Sequence, residues 1–209
     1  MKIIPAINCH TAEDAEVHAK EASKFTDWVH IDVSDGIFTF NKSWGDASAW
    51  AKMKGGLKTE VHLMVEKPEE YVGSWLKAGA ERIIIHLETI DGKSLSKIKD
   101  IIGTDVKIML AANPETPAEN FKPYFRIFSS FQILAVYPGP SGQKFQTLVL
   151  DKVKFLRREM PDATIEVDGG INEETAKLAR DAGAQRAVSG SYIFDSPDPE
   201  AAYNRLNSI

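Results

Sequence analysis

Eight times along 209 residues a short apolar, β-branched run is followed by a longer stretch with helical spacing, and few folds tolerate that alternation. The runs are Lys2 to Ile7, Trp28 to Val33, Lys58 to Met64, Arg82 to His86, Lys107 to Ala111, Phe131 to Val136, Thr164 to Val167 and Arg186 to Ser189. They are continuous rather than alternating, as parallel strands covered on both faces must be. Between them the spacing predicts helices at Ala12 to Lys24, Asp46 to Met53, Pro68 to Ala78, Lys93 to Ile101, Pro117 to Tyr124, Thr147 to Glu159, Asn172 to Asp181 and Pro199 to Asn207. Gly79 and Gly183 fall where two of these helices should end, and Pro68 and Pro117 suit the first helical position. Eight βα units in a chain of this length point to a compact α/β fold, a (β/α)8 TIM barrel spanning 1–209 as one domain. A doubly wound open sheet is the alternative.

Hydrophobic residues make up 43% and charged residues 26%, an ordinary composition for a globular protein. The net charge of −5 leaves no basic stripe for nucleic acid, so any anionic ligand needs local groups to hold it. No stretch approaches the ~20 apolar residues of a membrane span, and the opening MKIIPAINCH lacks the apolar core of a secretion signal. With a single cysteine, Cys9, no intrachain disulfide can form, and a cytoplasmic location is expected.

His30 and Asp32 in WVHIDVSDG, His62 in TEVHLMV and Asp168 in IEVDGG each stand at the end of an apolar run. The first two are two residues apart, hence on one face of a strand, and in a barrel all four would meet at the mouth. A lone histidine at a strand end is usually a hydrogen-bonded polar residue. Four such groups at equivalent strand ends instead suit one divalent ion, Zn²⁺, Mn²⁺, Fe²⁺ or Co²⁺.

A second group comes late in the chain. PGPSGQ, Asp168-Gly169-Gly170 and Ser189-Gly190-Ser191 are turns following the sixth, seventh and eighth runs. Glycines such as Gly139, Gly142, Gly169, Gly170 and Gly190 let backbone N–H groups approach a phosphate, with Ser141 and Ser191 as hydroxyl donors.

With VHIDVSDG, EVHLMV, IIIHLE, VYPGPSGQKF, EVDGGIN and SGSYIF in this order over nearly the whole chain, the sequence resembles the ribulose-phosphate 3-epimerases. The resemblance implies a barrel of the ribulose-phosphate-binding type and an isomerase in a homo-oligomer. It further implies a divalent metal on His30, Asp32, His62 and Asp168, and a substrate phosphate on turns matching Gly142, Gly170, Gly190 and Ser191. The implied reaction inverts C3 of a small sugar phosphate, D-ribulose 5-phosphate, with Asp32 and Asp168 as the acid and base pair on opposite faces. No nucleic acid or membrane partner is implied.

The sequence departs from the family at the substrate's middle. Ala6 stands where a serine is usual, Ser34 and Leu134 replace methionines while Met64 keeps its place, and Pro140-Ser141 replaces Phe-Gly in the loop. Asn8, on the same strand face as Ala6, is a candidate for the lost hydroxyl contact. A hexulose 6-phosphate such as allulose 6-phosphate is therefore the alternative substrate, and a weakly active sugar-phosphate-binding barrel a further one. The lysine of the related decarboxylases' Asp-x-Lys-x-x-Asp stretch is missing from Asp32-Val33-Ser34-Asp35, which argues against a lyase.

Among the remaining polar residues, His86 ends the fourth run, near enough to the mouth either to touch substrate or to stand behind a metal ligand. His10 and His18 are expected on the solvated surface, Glu88 exposed, and Cys9 a small core filler. Glu60 and Glu166, each two residues before a proposed ligand, should be buried beneath it and require a cation such as Lys107 or Arg186.

Overall fold

The computed structural model describes residues 1–102 and 107–209, with only the backbone described for Lys107. Eight parallel strands, β1 (Lys2–Ile7), β2 (Trp28–Ser34), β3 (Lys58–Met64), β4 (Arg82–His86), β5 (Lys107–Ala112), β6 (Ser130–Leu134), β7 (Thr164–Asp168) and β8 (Arg186–Ser189), close into a barrel in sequence order. Closure is made by β8 against β1, with Lys2 opposite Arg186 and Pro5 opposite Ser189. The open sheet is thereby excluded.

The helices are α1 (Ala12–Ala22), α2 (Ala47–Met53), α3 (Val72–Lys77), α4 (Gly92–Ile102), α5 (Val149–Glu159), α6 (Glu173–Ala182), α7 (Ser191–Phe194) and α8 (Pro199–Asn207). Their ends follow local chemistry. Asn172 caps α6 by accepting from the N–H groups of Glu174 and Thr175, and the Thr175 hydroxyl oxygen accepts in turn from the Asn172 N–H. Gly183 closes α6 at φ 113°, a left-handed conformation that favours glycine.

Two of the expected helices differ. Pro68–Glu70 is a separate 3-10 turn ahead of α3, and Ala118–Tyr124 is wholly 3-10. Pro123 sits inside the latter and lacks the N–H that an α-helical ladder would use. A further 3-10 turn, Leu87–Thr89, follows β4.

The main apolar core fills the layer between barrel wall and helices, with Trp50, Trp75, Phe121 and Phe131 fully buried there. Inside the barrel the picture divides. Ile84, Met109, Ala111 and Leu134 form a small apolar group on the β4 to β6 side. The inward positions of β2, β3 and β7 instead carry buried His30, Asp32, Glu60, His62 and Glu166. That asymmetry places a polar site against one wall.

Candidate functional site

At the C-terminal end of the barrel the four residues singled out from sequence come together. His30, Asp32, His62 and Asp168 each offer a ligand atom within 4.8 Å of all the others. Asp32 Oδ1 lies 2.9 Å from His62 Nδ1 and 3.2 Å from His30 Nε2, and Asp168 Oδ2 lies 3.5 Å from His62 Nδ1. Both imidazoles are fully buried, whereas the two carboxylates face a cavity.

Burial opposes every charge here, and the outcome differs by residue. For Asp168 it prevails over the attraction of His30 and lifts the carboxyl to about 6. Burial pushes Asp32 the same way, but the charge and hydrogen bonds of His30 and His62 outweigh it and hold that carboxyl well below the usual range. Burial favours the neutral form of His30, yet Asp32, Asp168 and Glu166 raise the ring to about 8. His62 is lowered, burial being the main cause.

Beneath the mouth lies a charged tier. His30 Nδ1 is 2.8 Å from Glu60 Oε1, and the other Glu60 oxygen is held by the Arg82 guanidinium. Arg82 also lies 3.7 Å from Glu166 Oε2, while Gln132 Nε2 donates to Glu166 Oε1 at 3.2 Å. Glu60 and Glu166 are fully buried, as expected, but the cation that serves them is Arg82, not Arg186. The Lys107 side chain lies outside the described residues. Arg82 was legible only as the first residue of a strand, with the inward parity of Ile84 and His86.

The glycine turns form the opposite wall. Gly169 and Gly170 have φ of 100° and 65°, and a Cβ on Gly170 would lie 2.6 Å from the Phe145 backbone nitrogen. Only glycine fits there. Gly139, Ser141 and Gly142 border the same cavity from the β6 loop, and Gly190 and Ser191 from the end of β8. Met64, Ala6 and Leu134 line its interior, and Ser34 is buried outside it.

Other residues take positions the sequence did not reveal. Asn8 borders the cavity, and its side chain donates to the Gly139 carbonyl at 2.9 Å, latching the β6 loop to β1. His86 is fully buried behind His62 and covered by the Phe38 ring, centroids 4.7 Å apart, rather than facing the cavity. Glu88 is exposed as a residue, as expected, while its side chain, 21% exposed, turns its carboxylate toward His86. His18 is half-buried at the cavity edge, stacked on Phe194 with centroids 4.2 Å apart and Nδ1 3.3 Å from Cys9 Sγ. His10 is exposed as expected. Cys9 is buried, and burial raises its thiol to about 11, so it is a filler and not a nucleophile.

A sequence profile described as the ribulose-phosphate 3 epimerase family matches residues 2–194. The chain belongs to the ribulose-phosphate 3-epimerase family. It is 34% identical to the ribulose-phosphate 3-epimerase of Schizosaccharomyces pombe, over 100% of this chain and 93% of the relative. Against the ribulose-phosphate 3-epimerase of Chlamydia pneumoniae it is 38% identical over 82% of this chain and 77% of the other. Among solved structures, 3-hexulose-6-phosphate synthase from Salmonella typhimurium superposes with a TM-score of 0.75, covering 100% of this chain and 97% of that one at 16% identity. That likeness is one of fold. As a member of the epimerase family the chain is a sugar-phosphate epimerase, an isomerase. No described helix is long and apolar enough to cross a membrane.

Proposed function

We propose that this epimerase is metal-dependent and inverts C3 of D-ribulose 5-phosphate to give D-xylulose 5-phosphate. The observation that carries the reading is the pair Asp32 and Asp168, carboxylates that share two buried imidazoles and face one cavity. The names of the relatives supply the substrate.

The donor set fits a divalent ion. His30 Nε2, His62 Nδ1, Asp32 Oδ1 and Asp168 Oδ2 are two nitrogens and two anionic oxygens, a mixture that borderline first-row ions accept. When bound, such an ion acts as a Lewis acid that stabilises negative charge developing on the substrate's C2 oxygen, an effect worth several kcal/mol.

The protein's own groups do the rest. Backbone N–H groups of the turns at Gly142, Gly170 and Gly190, with the Ser191 hydroxyl, hold the phosphate and so fix the distance to C3. The ionised carboxylate of Asp32 takes the C3 proton from one face of the sugar, leaving an enediolate. Asp168 returns a proton to C3 from the other face. Each turnover leaves the pair with exchanged protonation, and solvent at the cavity mouth resets it. Proton transfer by a positioned group contributes typically ~10²–10⁴-fold.

The test is NMR of D-ribulose 5-phosphate in deuterated water with protein reconstituted with Mn²⁺ or Zn²⁺. Loss of the C3 proton signal together with formation of xylulose 5-phosphate is expected. No exchange by protein with metal bound overturns the substrate. A second reading has its own support: Ala6 lines the cavity with a methyl group where the family resemblance implies a serine hydroxyl. A hexulose 6-phosphate turned over faster than ribulose 5-phosphate in the same assay would favour it.

A further inference from the structure

His62 is backed by a chain of polar contacts that the proton-transfer chemistry does not use. His62 Nε2 lies 2.8 Å from His86 Nε2, and the two rings meet edge to edge and nearly coplanar, with centroids 5.0 Å apart and planes 19° from parallel. His86 Nδ1 lies 3.2 Å from Glu88 Oε2. The other Glu88 oxygen, Oε1, accepts from the Asn113 N–H at 2.9 Å and from the Thr116 hydroxyl. Lys152 of α5 pins that turn from below, donating to the carbonyls of Asn113 at 2.6 Å and Pro114 at 3.3 Å.

We propose that Glu88 and His86 are positioning residues: they hold the His62 imidazole with Nε2 protonated and the Nδ1 lone pair aimed between Asp32 and Asp168. This rests on the metal-site reading above. His62 and His86 are both fully buried, so the donors and acceptors between them must match one for one. Two imidazole nitrogens 2.8 Å apart need one proton between them, since two protons collide and two lone pairs repel. Glu88 is an acceptor: its Oε1 already takes the Asn113 N–H and the Thr116 hydroxyl, which leaves Oε2 to accept from His86. His86 therefore keeps its proton on Nδ1, and in the neutral ring Nε2 becomes the acceptor. The shared proton then belongs to His62 Nε2, which leaves Nδ1 bare. With a cation among them Nδ1 stays bare 2.9 Å from the Asp32 oxygen; without one the same nitrogen carries a proton and donates to Asp32. Phe38, packed on His86, keeps water from offering a substitute partner.

The experiment is the dissociation constant for Co²⁺ alone, measured by chelator competition on wild type and on the His62→Ala, His86→Leu, His86→Gln and Glu88→Gln variants, with folding checked by thermal melts. Loss of an outer partner typically weakens metal binding ~10–100-fold, and His86→Leu and Glu88→Gln should fall in that range. His86→Gln should recover most of the loss, because an amide accepts from His62 on one side and donates to Glu88 on the other. Nitrogen-15 spectra of the Zn²⁺-loaded protein should show His62 protonated at Nε2. A folded His86→Leu variant binding Co²⁺ like wild type, or His62 unprotonated at Nε2, overturns the proposal. Should His86→Leu fail to fold, Glu88→Gln decides alone, since it keeps the size of the side chain and lies outside the fully buried core. If wild type and His62→Ala bind Co²⁺ equally, the metal-site reading falls and takes the relay with it.

Discussion

Substituting Arg82 with methionine tests whether the barrel floor is held by charge. Arg82 is 5% exposed, and the carboxylates it serves, Glu60 and Glu166, are 0% exposed. The surface estimate for an ion pair, about 0–1 kcal/mol, therefore does not apply. Arg82→Met leaves two buried carboxylates without their guanidinium, and breaking a buried pair from one side costs about 3–5 kcal/mol. At ~2–4 °C per kcal/mol for a domain of this size, the melting temperature should fall by roughly 6–20 °C. Burial is also the dominant influence on Arg82 itself, lowering its pKa to about 10, so the arrangement is costly even when intact. Removing all the charge should accordingly hurt less than removing one sign. The triple variant Arg82→Met, Glu60→Gln, Glu166→Gln is expected to melt above the single variant. The assay is thermal melting of the three proteins in one buffer at neutral pH. An Arg82→Met protein that melts within 2 °C of wild type (~1 kcal/mol or less), or a triple variant melting lower still, would refute the reasoning.

Three further outcomes are expected. Asp32→Asn and Asp168→Asn should each lower kcat for C3 epimerisation by ~10²-fold or more, read in the deuterium exchange assay, and full activity in either would remove that residue from the chemistry. Gly170→Ala forces a side chain into φ 65° with its Cβ 2.6 Å from the Phe145 nitrogen, so it should cost about 1–3 kcal/mol in chemical denaturation and raise KM; an unaffected KM would detach this turn from substrate. Burial lowers Lys152 to about 8 against a usual 10.5, so the unfolded chain binds the extra proton between those values and stability from this group rises with pH across that window. The melting temperature of wild type should therefore rise relative to that of Lys152→Met from pH 8 to 10, and a constant difference would count against it.

The barrel could be read from the chain because each strand is a compact β-branched run and each helix carries its own stop. What escaped notice depends on register, which no single strand encodes. Glu60 and Glu166 plainly needed a cation, yet only the pairing of β3 with β4 sets Glu60 opposite Arg82, while a basic residue opening a strand looks exposed. His86 looked like a mouth residue because it ends β4; the β2 loop brings Phe38 over it, and that approach has no local signal. Asn8 reads as a strand-end polar group, and its latch to Gly139 spans 131 residues of sequence. Pro123 was visible, and its effect on the 118–124 helix follows from one missing N–H.

His30, Glu60 and Arg82 lie side by side in register on β2, β3 and β4, so the row that steadies one mouth imidazole is woven into the wall of the barrel. For anyone transplanting this chemistry, the portable unit is thus two storeys deep. A scaffold given only the four mouth residues would have the usual Val, Ile or Leu layer below them. On such a scaffold His30 would turn freely about its own bond, and the graft would reproduce the list of side chains without their aim.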